Sequence, residues 1–202
     1  MSTLPDLTPT ARELARLVAA VDDEQLTGPT PCPDYRVADL LDHIHGLTIA
    51  FTHAATKEPL SGAPGPSGDG ARLPDSFRTD IPAELDALAA AWLDPAALEG
   101  TTMAGPIEMP GPEAGLVALD EIVVHAWDLA AATGQVYAAD PTAVDACLGF
   151  VAAFEAPQED SDADSAGESG GGLFGPPVAV ADNASALERL LGLTGRDPAW
   201  RG

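Results

Sequence analysis

Apolar residues recur at helical spacing over most of the chain, and segments rich in Pro and Gly separate the helices that this pattern predicts. The first predicted helix runs from Thr8 to about Val21, with Thr8 as its N-cap and Pro9 in its first turn. Further helices are predicted at about 37–56, 76–93, 116–132, 141–154 and 185–193. Long helices joined by long crossover loops indicate an all-α fold of the helix-bundle type.

The segments between these helices predict loops of different kinds. Residues 28–35 form a rigid loop, 59–74 a flexible one, and 99–115 a third that contains three prolines and four glycines. Residues 177–180 give the only, weak, strand signal. Residues 158–172 combine acids with Gly and Ser and contain no large apolar side chain, so they are predicted to be disordered or a mobile loop. We therefore expect a bundle over 1–156, an acidic Gly/Ser-rich flexible loop over 157–172, and a C-terminal segment over 173–202 that packs back on the bundle.

The charge balance narrows the classes of partner. Thirty-two acidic residues against nine basic ones give a net charge of −23, which repels nucleic-acid phosphates and anionic lipid surfaces. No run approaches the ~20 apolar residues of a membrane span, and the first residues lack the pattern of a signal peptide. Cys32 and Cys147 form no CxxC motif, so neither a disulfide framework nor a thiolate metal site is indicated. A cytoplasmic protein that binds neither nucleic acid nor membrane is expected.

The predicted helix over 116–132 carries two polar residues within an apolar stripe. Positions i and i+4 lie about 40° apart on a helix, so Glu121 and His125 share a face with Ile122 and Leu129. On this model the carboxylate faces the interior, where it is costly unless it is paired or bound to a metal.

The predicted helix over 37–56 contains the other three histidines. His43 lies on its core stripe, whereas His45 and His53 lie roughly 200° and 80° away and are interpreted as surface or packing residues. Two helices thus each contribute an inward imidazole, and one adds a carboxylate. Two imidazoles and a carboxylate, from His43, Glu121 and His125, suit a divalent first-row metal with one open position. The alternatives are an intrahelical Glu–His hydrogen bond and a capped core histidine.

Several further polar residues have two interpretations each. Asp39 fits a fourth ligand or a hydrogen-bond acceptor for a ligand, but also a charge at a helix start. Asp128 fits an acceptor that orients a ligand, although a structural role is favoured, and Asp120 is predicted to be solvated. Arg196 fits an ion-pair partner for an acid at the edge of the core, or a clamp for a substrate carboxylate. Cys32, between two prolines, is interpreted as a small loop residue rather than a nucleophile.

Three segments together resemble a known family. TPCPDYRVADLLDHIHG (30–46) resembles the N-terminal motif of the mycothiol-dependent maleylpyruvate isomerase-like proteins of the DinB superfamily. DEIVVHAWDLAAATGQ (120–135) resembles their Glu-x-x-x-His motif, which is followed by Trp-Asp-Leu-Ala. FGPPVAVADNASALERLLGLTGRDPAW (174–200) resembles the C-terminal signature of one actinobacterial branch. The resemblance covers nearly the whole chain apart from 157–172.

This resemblance implies a DinB-like four-helix bundle, with a short C-terminal extension, that binds a divalent metal. Zinc is the metal that it favours, with Ni²⁺ or Fe²⁺ as alternatives, and the implied ligands are His43, Glu121 and His125. In relatives with known activity the metal binds the sulfur of a low-molecular-weight thiol, which then reacts with the substrate as a thiolate nucleophile. The resemblance thus implies a thiol-dependent transferase or isomerase that acts on a small molecule, with mycothiol as its cosubstrate.

Two departures from the family pattern limit this implication. Tyr35 stands where the family usually has Trp. Only about 30 residues follow the acidic segment, whereas the isomerase itself has a large C-terminal domain that helps to shape its pocket, so the resemblance does not by itself imply the specific isomerase reaction. The alternative functions are a metal-binding module without catalysis and a hydrolase that uses metal-bound water. DinB-like bundles often pair, and a homodimer is compatible with the sequence.

Overall fold

A computed structural model of the protein describes residues 4–59, 66–105, 107–155 and 175–202. Within these ranges it contains six α-helices and one antiparallel sheet of two strands. These elements are α1 (Thr8–Ala19), α2 (Val37–Thr56), α3 (Phe77–Trp92), β1 (Thr101–Ala104), β2 (Ile107–Pro110), α4 (Gly111–Thr133), α5 (Pro141–Glu155) and α6 (Ala186–Leu193). None of these helices combines the length and the apolar content that a membrane span requires.

The first four helices form a bundle around one core. Both α1 and α2 pack against α3 and α4, and α5 packs against α4 and α6. Each bundle helix contributes leucines that are fully buried, among them Leu14, Leu41, Leu85 and Leu119. Burial of such side chains contributes the largest favourable term to folding. The predicted all-α helix bundle is confirmed.

Local sequence signals explain where two of the bundle helices end or begin. Helix α2 has the bounds predicted for it, because the carboxylate of Asp39 accepts a 2.9 Å hydrogen bond from the backbone N–H of Arg36 in its first turn. It ends at Thr56, and the following residue, Lys57, has a left-handed φ of 58°. Helix α4 ends at Thr133, and the following residue is Gly134, whose φ of 68° suits a residue without a side chain.

The prediction of a loop over 99–115 is wrong for most of that segment. Strands β1 and β2 pair as an antiparallel hairpin, with Thr101 opposite Pro110, and α4 already begins at Gly111. Proline does not prevent this arrangement. Pro110 is the last residue of an outer strand, and Pro112 lies in the first turn of α4, where no intrahelical N–H bond is lost.

Two other predictions concern the C-terminal part of the chain. The weak strand signal at 177–180 is wrong, since this segment pairs with no strand among the described residues; instead the backbone N–H of Val178 donates to the carbonyl of Gly192 in α6 at 2.8 Å. The predicted acidic loop over 158–172 lies outside the described residues, as do residues 60–65 of the predicted 59–74 loop.

Candidate metal centre

The side chains of three residues from two helices meet at one point. His43 lies on α2, and Glu121 and His125 lie on α4. One imidazole nitrogen or carboxylate oxygen from each residue lies within 4.8 Å of those from the other two. Nε2 of His125 is 3.0 Å from Oε2 of Glu121, one helical turn earlier, and the ring centroids of His43 and His125 are 5.0 Å apart. The structure thus brings together the three residues that the helical pattern selected.

Each of the two histidines makes a hydrogen bond through Nδ1, on the far side of its ring from the cluster. Nδ1 of His125 lies 3.0 Å from Oδ2 of Asp128, and Nδ1 of His43 lies 2.9 Å from the backbone carbonyl oxygen of Ser67. These contacts hold the orientation of both rings. Because these contacts occupy Nδ1, the Nε2 nitrogen of each ring remains available to the cluster.

Asp128 is fully buried and connects the centre to the C-terminal segment. Its carboxylate accepts hydrogen bonds from Nη2 and Nε of Arg196, at 3.1 and 3.4 Å. Nη1 of Arg196 in turn donates to the carbonyl of Thr194 at 2.7 Å. The interpretation of Arg196 as an ion-pair partner for an acid in the core is confirmed. Asp128 has the structural role favoured for it, as the partner of Arg196, and it also contacts His125 directly.

The pKa values of the two α4 residues shift in opposite directions. Burial lowers the pKa of His125, but its hydrogen bonds to Asp128 and Glu121 outweigh burial and raise this pKa to about 9. Burial raises the pKa of Glu121, but the hydrogen bond and charge of His125 outweigh burial and lower it. At neutral pH the proton therefore lies on His125, hydrogen-bonded to the ionised Glu121, and a cation that bound both residues would have to displace it.

His43 differs from His125 in its charge. Burial, followed by the positive charge of His125, lowers the pKa of His43 below its ordinary value. Its imidazole is therefore neutral near pH 7, and a neutral imidazole is the form that binds metal ions.

A pocket of about 290 Å³ opens onto these side chains. Its walls combine thiol, aromatic, acidic and basic groups, from Cys32, Asp34, Tyr35, Asp120, Val124, Thr194 and Arg196. Burial raises the pKa of the Cys32 thiol, and the opposing charge of Arg196 does not compensate for it. A thiol with a raised pKa is a weak nucleophile, which agrees with the interpretation of Cys32 as a loop residue.

The prediction that Asp120 is solvated is wrong. This residue is only 3% exposed, because α5 covers the face of α4 on which it lies. Burial and, after it, the charge of Glu121 raise the pKa of Asp120 to about 8. Its Oδ1 atom has no hydrogen-bond partner among the residues that the structure describes.

Three other residues considered from the sequence lie apart from the centre. Asp39 caps α2 and accepts a 2.8 Å hydrogen bond from the backbone N–H of Gly70, so the structure gives it no part in the ligand cluster. His45 pairs with Glu84 at 3.1 Å, and His53 lines a separate pocket of about 600 Å³. Neither histidine belongs to the ligand cluster.

Sequence reasoning missed two residues that support His43: Ser67, which lies outside α2, and Asp42, the residue before His43 in α2. Ser67 acts through its backbone carbonyl, which no pattern of residue types reveals. The side chain of Asp42 is buried and accepts a hydrogen bond from the hydroxyl of Ser67. The available signal was the pair Gly68 and Gly70 around Asp69, since closely spaced glycines often mark a close approach of the backbone.

Comparison with protein families gives a match between residues 7–130 and the mycothiol maleylpyruvate isomerase N-terminal domain. Because this match spans more than half of the chain, the chain belongs to that family. The matched range contains His43, Glu121 and His125. The resemblance identified from the sequence motifs is confirmed.

Sequence comparison also finds two individual relatives of the chain. Two uncharacterised proteins, from two strains of Mycobacterium tuberculosis, are each 31% identical to this chain over 140 aligned residues. The alignment covers 63% of this chain and 65% of each relative. The chain thus spans less than two thirds of the length of these relatives.

Two crystal structures are also similar to the chain. They are of the mycothiol-dependent maleylpyruvate isomerase, with a TM-score of 0.57 and 19% identity, and of a histidine-to-alanine mutant of it, with 0.56 and 17%. Each comparison covers 76% of this chain and 72% of the other. At such identities the similarity shows the fold, and the expected DinB-like bundle is confirmed.

Proposed function

We propose that the protein binds a divalent metal ion through His43, Glu121 and His125, and that the favoured ion is zinc. The observation that carries this proposal is the convergence of two imidazoles and one carboxylate to within 4.8 Å of one another. Three protein ligands of these types, with a position left for water or substrate, are the donor set of catalytic zinc sites. Ni²⁺ and Fe²⁺ accept the same donors.

The surroundings of the three residues fit a metal site. Histidines that bind metals almost always donate from the other ring nitrogen to a carboxylate or a backbone carbonyl. His125 has Asp128 in that position, and His43 has the carbonyl of Ser67. A simple Glu–His hydrogen bond inside a core would require neither His43 nor its support from Ser67.

The proposed activity is that of a thiol-dependent transferase or isomerase, with a mycothiol-type thiol and a small molecule as its substrates. Membership of the mycothiol maleylpyruvate isomerase N-terminal domain family supports this proposal, as does the shared fold. When bound, a divalent metal would lower the pKa of a thiol and stabilise its anionic form near neutral pH.

The pocket beside the centre has both apolar and charged groups in its walls. Val124 and Tyr35 place apolar surface beside the centre, which lowers the local dielectric constant and strengthens charge interactions there. Arg196 lies in the same wall, where its guanidinium is paired with the buried carboxylate of Asp128. We also infer that the described part of the C-terminal segment, 175–202, packs back on the bundle, which the contact between Arg196 and Asp128 supports; residues 173 and 174 of the predicted segment lie outside the described residues.

The first test is the metal content of the purified protein after loading with Zn²⁺ and removal of the excess. We expect one zinc ion per chain in the wild type, measured by inductively coupled plasma mass spectrometry. His43→Ala and Glu121→Ala should lose it. His53→Ala is the matched control, because His53 lies on α2 but outside the ligand cluster, and it should keep the metal. A wild type that stays metal-free after loading with Zn²⁺, Ni²⁺ or Fe²⁺ would overturn the proposal.

The second test separates the proposed activity from other uses of a metal. Thermal unfolding of the zinc-loaded protein is measured with mycothiol, glutathione and cysteine, and mycothiol should raise the midpoint most, because only a ligand of the folded state stabilises it. No shift with any thiol, together with turnover of esters or amides, would instead indicate a hydrolase. A loaded protein with neither property would be a binding module.

A further inference from the structure

Residues 66–72, which precede α3, lie against the N-terminal half of α2 and contact His43 directly. The backbone carbonyl of Ser67 is 2.9 Å from Nδ1 of His43. A carbonyl oxygen only accepts hydrogen bonds, so Nδ1 must carry the proton. The lone pair of the neutral ring is then on Nε2, which is the nitrogen that metal binding at this centre requires.

A buried carboxylate holds this loop in place. Asp42, the residue before His43, is only 5% exposed and accepts hydrogen bonds from the hydroxyl of Ser67 and, at 3.1 Å, from the backbone N–H of Asp69. Arg72 donates to the hydroxyl oxygen of Ser67 at 3.0 Å. The Ser67 carbonyl that contacts His43 is therefore fixed by bonds on either side of it.

Two glycines allow the loop backbone to approach so closely. A Cβ atom on Gly68 would lie 2.2 Å from Cε1 of Tyr35, and one on Gly70 would lie 2.7 Å from Cβ of Ala38. The Tyr35 ring is itself 5.3 Å from the His43 ring, measured between centroids. Tyr35 thus packs against both the loop and the imidazole.

We propose that the 66–72 loop positions His43, fixing the tautomer and the ring orientation in which this residue binds the metal, although the loop supplies no ligand of its own. Asp42 and Ser67 are the positioning residues, and both act through His43. This inference rests on the proposed metal site. It adds that the affinity of the site depends on contacts made by a segment that the sequence pattern predicts to be a flexible linker.

Two variants disturb the loop in independent ways. Asp42→Asn replaces the charged oxygen that accepts from both Ser67 and Asp69 by an uncharged amide oxygen, which weakens both bonds, and Gly68→Ala forces the backbone away from Tyr35. Glu84→Gln is the matched control, because it makes the same carboxylate-to-amide change at a side chain that contacts α2 through His45 and Thr48, away from the loop. Circular dichroism and thermal unfolding establish that each variant is folded.

The first readout is zinc affinity, measured by competition with a chromophoric chelator. Loss of the groups that orient a metal-binding histidine typically lowers affinity 10–100-fold. We expect a decrease of about 10-fold or more for Asp42→Asn and for Gly68→Ala, and no change for Glu84→Gln. Folded variants that both bind zinc as tightly as the wild type would overturn the proposal.

The second readout is the tautomer of His43 in the metal-free protein, observed through long-range ¹⁵N–¹H correlations of the ring. Wild-type protein should show the proton on Nδ1, and the two loop variants should show a mixture. A wild-type ring protonated on Nε2 would overturn the proposal. This measurement needs no metal, so it tests the role of the loop even in a protein that binds none. Failure of the wild type to bind metal would count against the proposed function alone.

Discussion

Arg196 in the C-terminal segment donates two hydrogen bonds to the carboxylate of Asp128 on α4, at 3.1 and 3.4 Å. Asp128 is completely buried, and its other partner is His125. The last part of the chain therefore supplies a charge that compensates a buried acid directly beneath the candidate metal centre. Stability of the fold and integrity of the centre are coupled at this point.

Replacement of Arg196 by Ala should destabilise the protein by about 2–3 kcal/mol, because it leaves a buried carboxylate with one hydrogen-bond donor fewer from a charged group. His125 continues to donate to Asp128, which keeps the loss below that of a completely unpaired buried charge. Urea unfolding followed by circular dichroism measures the effect. Arg201→Ala is the control, since Arg201 is exposed and donates only to the carbonyl of Trp200. Equal stability of both variants and the wild type would contradict the assigned role of Arg196.

Asp128→Asn should weaken zinc binding about 10–100-fold, because His125 loses the carboxylate that orients its ring and raises its basicity. Chelator competition gives the affinity, and absorption of the Co²⁺-loaded protein reports any change in the ligand field. Asp94→Asn serves as the control, since Asp94 caps a short turn by accepting a 2.9 Å hydrogen bond from Ala96. Unchanged zinc affinity in Asp128→Asn would mean that its contact with His125 is irrelevant to metal binding.

Alkylation of Cys32 by iodoacetamide should be slower at pH 7 than that of an exposed cysteine. Burial raises the pKa of this thiol, so its reactive thiolate is scarce at neutral pH and increases as the pH rises through that higher pKa. Cys147 is fully buried and should stay unmodified in the native protein. Mass spectrometry of labelled protein at several pH values measures both rates. Complete labelling of Cys32 at pH 7, as fast as for a free thiol, would refute the prediction.

Two Gly→Ala changes in helices should have opposite effects on stability. In α6, a Cβ on Gly192 would lie 2.7 Å from the carbonyl oxygen of Val178 and 2.8 Å from a methyl group of Val180, so Gly192→Ala should cost about 1–3 kcal/mol through overpacking. In α5, a Cβ on Gly149 would meet no atom of the described residues within 4 Å. Gly149→Ala should therefore stabilise the protein by about 0.5–1 kcal/mol. Thermal and urea unfolding of the two variants provide the comparison, and a change of the same sign in both would be inconsistent with this packing.

Apolar periodicity and helix-capping residues predict the helices, because these signals lie within each helix itself. Helix α2 has the predicted bounds because Asp39 stabilises its first turn and an apolar stripe continues to its end. The hairpin of β1 and β2 was not predictable in this way. Each strand has only four residues, and its stability depends on pairing with the other strand rather than on a pattern within itself.

The candidate centre was predictable where it depends on helical periodicity. Spacing alone places Glu121 and His125 on one face of α4 and His43 on the core face of α2. Asp120 shows the limit of that approach. A helix with a single core face would leave Asp120 in solvent, but α1, α2 and α5 all pack against α4, so more than one of its faces is buried.

Glu121 and His125 are separated by one turn of a single helix, so the hydrogen-bonded geometry of this pair is set by helical pitch and not by the path of any loop. Insertions or deletions outside α4 leave the spacing of these two of the three candidate ligands unchanged. The placement of His43 depends on how α2 packs against α4, and the ring of His125 also depends on Asp128 and, through it, on Arg196. Changes of sequence in the loops that line the pocket can therefore alter its shape while the spacing of Glu121 and His125 stays fixed.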